Sequence, residues 1–241
     1  MEAGQIQELC QLGQQQLQRM EYLQAEQTLA AAEKLAWDGR DFDAMARLYM
    51  PLQEARRQRR QRCGEGIIRL DFLAGGPADQ IDGRAVIETF PHGQFLIAGW
   101  GSIQPALDAR REQTKRGLYA DVFLAAVYPA QAGRIVAIVP SEDVALPPAE
   151  PMPVDVLIRR LPAHSVVMAD AELPPGTYGA VMDIWEHLHA PFLAAAESIA
   201  DPIRKIDAYR KSIRVDYACE LAHQGISNAA RQLCNTESRL S

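Results

Sequence analysis

Seven short runs rich in Val, Ile and Phe occupy the middle of this chain, at residues 67–73, 86–90, 95–98, 122–128, 135–139, 154–158 and 166–168, punctuated by Gly and Pro. Their length and composition predict β-strands. The sequence on either side has a different texture. Residues 5–63 are rich in Gln, Leu, Ala, Glu and Arg and contain a single proline, and such residues lose little rotamer freedom in a helix. From Thr177 helical spacing returns, with Thr177 as a cap and Tyr178, Val181, Met182, Trp185 and Leu188 on one face. Pro191 is expected to kink or end that helix. Asp201-Pro202 predicts the next start, Ile203, Ile206, Ile213, Tyr217 and Leu221 its apolar stripe, and Gly225 its end.

The expected class is α+β (mixed). Residues 1–64 form a helical hairpin plus one helix, 65–174 a mixed-sheet module, and 175–241 a C-terminal helical segment that packs on the module or on the first helices. Within the module one helix is predicted at about 102–116, ended by Gly117. Tyr128 to Gly133 reads as a hairpin connection, and residues 146–153, with four prolines, as a stiff linker.

With 241 residues the chain has room for a substantial core, as one large domain or two small ones. A net charge of −6 disfavours broad nucleic-acid binding, which needs surplus positive surface. Cys10, Cys63, Cys219 and Cys234 are scattered, with neither a C-x-x-C pair nor zinc spacing, and read as reduced thiols. The first residues lack a basic region followed by an apolar run, and no apolar stretch approaches the roughly 20 residues of a membrane helix. The expectation is a cytoplasmic protein without membrane contact, cofactor or metal.

Near the start, Leu9, Leu12 and Gly13, then Tyr22, Ala25, Leu29 and Ala32, closed by Asp38-Gly39, describe two tightly packed helices. Over residues 6–39 this spacing resembles one tetratricopeptide repeat unit, with Gly13 and Ala25 at the positions where small residues bring the helices together. Leu9 stands in place of the family's tryptophan, Gln16 in place of its tyrosine, and Trp37 near the expected proline. One period later the pattern stops, at Arg47, Arg59 and Cys63. The resemblance implies a surface for a partner, although the family cradles peptides with stacked arrays rather than one unit. An ordinary helical hairpin is the other reading of the same residues.

Arg56, Arg57, Arg59, Arg60 and Arg62 place five cations within seven residues. At 100° per residue they spread around the helix. Arg56, Arg57, Arg59 and Arg60 are candidates for docking an acidic partner or phosphate. The alternatives are a solvated last turn before Gly64 and pairing with acids of later helices.

Gly99-Trp100-Gly101-Ser102 follows an apolar strand and precedes a helix carrying Pro105. Gly99, Gly101 and Ser102 are candidates to hold an anionic ligand, a nucleotide or sugar phosphate, through free amides at the helix start. The third glycine of a dinucleotide fingerprint is absent, with Gln104 in its place, and no Walker lysine follows. A tight turn capped by Ser102 is the alternative. Asp170, Glu172, Glu186, His187 and His189 could bind a metal or exchange protons. His187 and His189 point to opposite sides of a helix, leaving Glu186 and His189 as a pair, while His92 and His164 lie in loops. No catalytic signature is present. The functional expectation is a non-catalytic protein-interaction or assembly protein, binding a partner or itself. The alternative is an α/β enzyme or binding protein using the 99–102 turn.

Overall fold

The computed structural model describes residues 2–131 and 133–240, with side chains for 4–131 and 133–236. The fold is α+β. In chain order it comprises α1 (Glu2–Gln18), α2 (Tyr22–Asp38), α3 (Phe42–Glu65), β1 (Ile67–Leu73), α4 (Gly83–Thr89), β2 (Gly93–Trp100), α5 (Gln104–Arg116), β3 (Ala120–Pro129), β4 (Arg134–Ile138), α6 (Val154–Arg160), β5 (Val166–Ala169), α7 (Tyr178–Glu197), α8 (Pro202–Val215) and α9 (Glu220–Leu240). The chain divides into two compact units, Met1–Arg60 with His189–Ser241, and Gln61–Leu188. Among the described residues no helix is long and apolar enough to cross a membrane.

In the first unit the turns after α1 and α2 repeat the same geometry twenty residues apart. Met20 (φ 61°) and Arg40 (φ 53°) are left-handed. Glu21 N–H donates to Gln16 O (2.9 Å) and Met20 N–H to Leu17 O (2.9 Å), while Asp41 and Arg40 repeat this onto Ala36 O (2.8 Å) and Trp37 O (3.1 Å). These are Schellman turns, which satisfy carbonyls left over at a helix end. Asp38-Gly39 does lie at the second turn, but the left-handed position falls on Arg40, Gly39 being right-handed. Gly13 sits against Leu29, where a Cβ would stand 2.5 Å from Leu29 Cγ. Leu29, Met45, Leu48, Tyr49, Leu52, Ile206 and Ile226 share one core, so the N-terminal and C-terminal helices of this unit bury their stripes together.

Gly225 does not end a helix, and of the kink or end expected at Pro191 the end does not occur. Helix α7 runs through Pro191; burial of Leu193 (7 % exposed) and Ala196 (0 %) just beyond it outweighs one missing hydrogen bond. Gly225 lies inside α9, against the Tyr209 ring, where a Cβ would be 2.4 Å from ring carbons. Its smallness serves a close approach. Helix α8 instead ends at Val215, with Asp216 extended, which leaves Tyr217 outside the helix and Leu221 exposed on α9. Asp201 does cap α8, accepting from Arg204 N–H (2.8 Å).

In the second unit the sheet order is β1-β2-β3-β4-β5. Strands β1, β2 and β3 are parallel, and β4 and β5 each run antiparallel to the strand before. Strands β2 and β3 are buried along nearly their whole length, and burial on both faces explains why their runs are continuously apolar rather than alternating. One face carries Phe95, Ile97, Val122, Leu124 and Ala137 into a core with Ile87 of α4, Ala106 and Ala109 of α5, and Leu157 of α6. On the other face Phe123 packs on Trp185 of α7, ring centroids 4.4 Å apart.

Among its described residues this module has three α-helices, where one helix was expected. The runs at 86–90 and 154–158 are helical, in α4 and α6. Asp82 caps α4 by accepting from Arg84 and Ala85 N–H, and Asp155 pairs with Arg159 one turn along α6. A run of five residues fits a strand or a short helix equally well; Asp82, before the first run, and Asp155, within the second, both make contacts that need helical geometry. The expected α5 is present, with left-handed Gly117 at its end. The β3–β4 connection is an antiparallel hairpin closed by Ala130 N–H to Gly133 O (3.2 Å); Ala132, also part of the expected connection, lies outside the described residues.

Candidate functional site

The arginine run is engaged largely within the protein. Arg56 pairs with Glu26 (3.2 Å) and Arg59 with the other oxygen of the same carboxylate (2.8 Å). Arg60, 3 % exposed, pairs with Asp216 (2.7 Å). The Arg59 and Arg60 guanidinium groups also lie over the Tyr217 ring, 4.2 and 4.7 Å from its centroid. Arg57 makes a two-pronged bond to Glu54 on its own helix, and Arg62 pairs with Glu65. Three of the four candidate partner-binding residues, Arg56, Arg59 and Arg60, therefore serve the interior of the first unit, and Arg57 remains at its surface.

Around these cations two histidines take opposite charge states. His223, fully buried, is pushed down to about 3 by burial and by the Arg56 charge, so it is neutral. Its Nδ1 donates to Cys219 O (2.7 Å), and its Nε2 accepts from Arg56 (3.1 Å). Burial alone would also lower His189, but hydrogen bonds to Asp216 (2.7 Å) and Cys219 outweigh it and push the ring up to about 9. Asp216, burial notwithstanding, is held below the usual carboxylate range by Arg60 and His189. Glu26 is likewise held low by Arg59 and Arg56. Cys219, His189 and Asp216 are the residue types of a thiol triad, yet the thiol residue is 3 % exposed and the carboxylate is shared with Arg60. The group acts as an internal ion-pair lattice.

The remaining candidates are dispersed. His189 turns to Asp216, and Glu186 is exposed on another part of α7, so their expected pair does not form. His187 bonds Asp183 O on its own helix, and His92 bonds Arg62 O. His164 sits in a left-handed loop position. Asp170 pairs with Arg134 (2.9 Å), while Glu172 turns back to Ala169 N–H. Among the described residues no cluster of three or more His, Cys, Asp or Glu is placed to hold a metal.

At the 99–102 turn the polar groups bond to the chain itself. Gly99 N–H donates to Ser102 O (3.1 Å), Gly101 N–H to Val127 O (2.8 Å) and Ser102 N–H to Gly99 O (3.4 Å). Ser102 Oγ accepts from Gln104 N–H (3.1 Å). Gly101 is left-handed (φ 59°), and a Cβ on it would lie 2.7 Å from that of Ala149.

A groove lies elsewhere in the first unit, between α1 and α3, with a volume of about 330 Å³. Buried Ile6, Ala44 and Leu48 form its floor, and Gln7, Gln11 and Gln14, all exposed, line its α1 side. Positions 7, 11 and 14 recur at i, i+4 and i+7, so the three amides form one row along the helix. Asp41, whose carboxylate accepts from Ala44 N–H (2.9 Å), and Arg47 stand on the α3 side. Cys10 lies between the walls; burial pushes its thiol pKa up, against the Arg47 charge.

No protein-family model, curated protein or solved structure matches this chain.

The groove residues escaped sequence reasoning, although the signal was present. Gln is so frequent in α1 that its i, i+4, i+7 subset did not stand out from the composition. The partners of the arginine run, Glu26, Asp216 and His223, carried no local signal linking them to it.

Proposed function

We propose that this chain is a non-catalytic interaction protein that holds a short extended segment of a partner protein in the α1–α3 groove. The observation that carries the reading is the row Gln7, Gln11 and Gln14 above an apolar floor. Each amide both donates and accepts, so a row of them can pair with the alternating N–H and C=O groups of an extended backbone. The floor of Ile6, Ala44 and Leu48 receives apolar side chains, and Asp41 and Arg47 add opposite charges on the facing wall. A volume of about 330 Å³ lies at the lower end of the range of ligand pockets, suited to a few residues of peptide. In this reading residues 6–39 are a single tetratricopeptide-like unit, and α3 supplies the second wall that another repeat would otherwise provide.

The test is selection of short peptides from a displayed library on the full chain, followed by affinity measurement on the wild type and on Gln11→Trp, whose indole would fill the groove. Peptides that bind the wild type and lose about tenfold or more on Gln11→Trp, with the melting temperature unchanged, support the reading. Peptides that bind both proteins equally, or a library that yields no binder, contradict it.

A further inference from the structure

A cleft of about 500 Å³ opens in the second unit beside the outer edge of β1. Strand β1 is terminal in the sheet order, with β2 as its sheet neighbour. Ile68, Arg69, Leu70 and Asp71 line the cleft in succession. Alternate residues of a strand face opposite sides, so consecutive lining residues mean that the cleft meets β1 edge-on. A bulge interrupts the β1–β2 ladder between Arg69 and Phe72, and bulges recur beside binding sites because they re-aim side chains.

The cleft is bounded along the strand. At one end Ile67 N–H is spent on His92 O, toward β2, which turns the Ile68 carbonyl outward. Gly176 crosses there, so close that a Cβ would lie 2.5 Å from Ile68 O. At the other end Arg134 donates from Nη1 to Ala74 O (3.0 Å) and from Nε to Asp170 Oδ2 (2.9 Å). Arg134 begins β4 and Asp170 follows β5, so these groups gather at the carboxyl ends of the parallel strands. Open α/β sheets bind ligands at that end. The span between Gly176 and Arg134 suits a small molecule rather than a long added strand.

The charges narrow the chemistry. The β1 wall carries Arg69 paired with Asp71 (2.7 Å), and the facing wall carries Arg134 paired with Asp170 (2.9 Å). Each arginine holds its aspartate below the usual carboxylate range, so both walls keep both charges at neutral pH. A lone anion meets two carboxylates here, and a lone cation meets two guanidinium groups. A ligand carrying both charges meets a complement on each wall. Arg69 and Asp71 are the more open pair, with side chains 39 % and 61 % exposed, whereas Arg134 is also tied to Ala74.

We propose that this cleft binds a small zwitterion of the amino-acid class, free or as a di- or tripeptide, with its carboxylate on Arg69 and its ammonium on Asp170. The site is independent of the α1–α3 groove. It is tested by isothermal titration of the full chain with amino acids, short peptides, and matched acids and amines that each carry one of the two charges. A zwitterion that binds about tenfold or more tightly than its single-charge analogues is expected. The Arg69→Gln and Asp170→Asn substitutions should each remove that preference, while Asp155→Asn, on α6 outside the cleft, should leave it intact. Comparison of free amino acids with peptides decides between the two forms of the ligand. Arg69→Gln alters an exposed pair and is checked for an unchanged circular-dichroism melt, so lost binding there is not lost folding. Equal binding of the single-charge analogues, binding that survives both cleft substitutions, or silence of the whole panel at millimolar concentration would overturn the proposal.

Discussion

At the scale of single residues the first unit is organised around buried charge. Asp216, 1 % exposed, sits between Arg60 and His189, each 2.7 Å away. Replacing it by Asn leaves a buried guanidinium without its counter-charge, and Asp216→Asn should lose about 3–5 kcal/mol in chemical denaturation. The same arrangement sets a pH dependence. His189 is raised from 6.5 to about 9 in the folded protein. Its stabilising contribution is therefore complete below about pH 6.5 and is lost as pH rises through about 9. Because the ring is partly open to solvent, the loss is about 1–2 kcal/mol. Stability measured by urea titration between pH 6 and 10 should fall in that window, and His189→Asn should flatten the fall. A profile identical in the two proteins would refute this assignment. The cluster of arginines was legible in the sequence, and pairing with acids later in the chain, as in Arg60–Asp216, was one of its readings. Which acids it meets was not legible, because ion-pair partners come from distant parts of the chain and leave no mark on local spacing.

At the scale of elements the turns carry the clearest prediction. Met20 and Arg40 both hold the left-handed position of a Schellman turn, a conformation that disfavours any residue with a Cβ. Met20→Gly and Arg40→Gly should each stabilise the protein by about 0.5–1 kcal/mol, read as a rise in melting temperature. Gly225 is the converse: inside α9 and against Tyr209, it has no room for a side chain. Gly225→Val should destabilise by about 1–3 kcal/mol through overpacking. The long helices and the buried strands were legible, because fifteen or so residues of consistent spacing leave little choice. The short elements were not. In α4 and α6 a run of five residues has the length of a strand, and periodicity over so few residues does not separate the two; Asp82 stands before its run and Asp155 inside its own. Local preference alone would end a helix at Pro191 or Gly225; packing carries α7 and α9 through both.

At the scale of the molecule each unit offers a different concavity. The first has an amide-lined groove between α1 and α3, the second a charged cleft at the edge of its sheet. The α+β class followed from the two changes of texture along the chain. That the first and last helices share one core was one of two packings left open, since an apolar stripe states that it must be buried without naming against what. The candidate sites followed least of all. At Gly99, Gly101 and Ser102 the amides expected to be free are bonded within the chain, to Ser102 O, Val127 O and Gly99 O. The groove, by contrast, arises from Gln7, Gln11 and Gln14 meeting Asp41 and Arg47 across two helices. The most direct measurement of its role is amide hydrogen exchange on the full chain, with and without a library-selected peptide. Slowed exchange on binding should concentrate in residues 6–14 of α1 and 41–48 of α3. Protection confined to any other part of the chain would contradict a peptide seated in the groove.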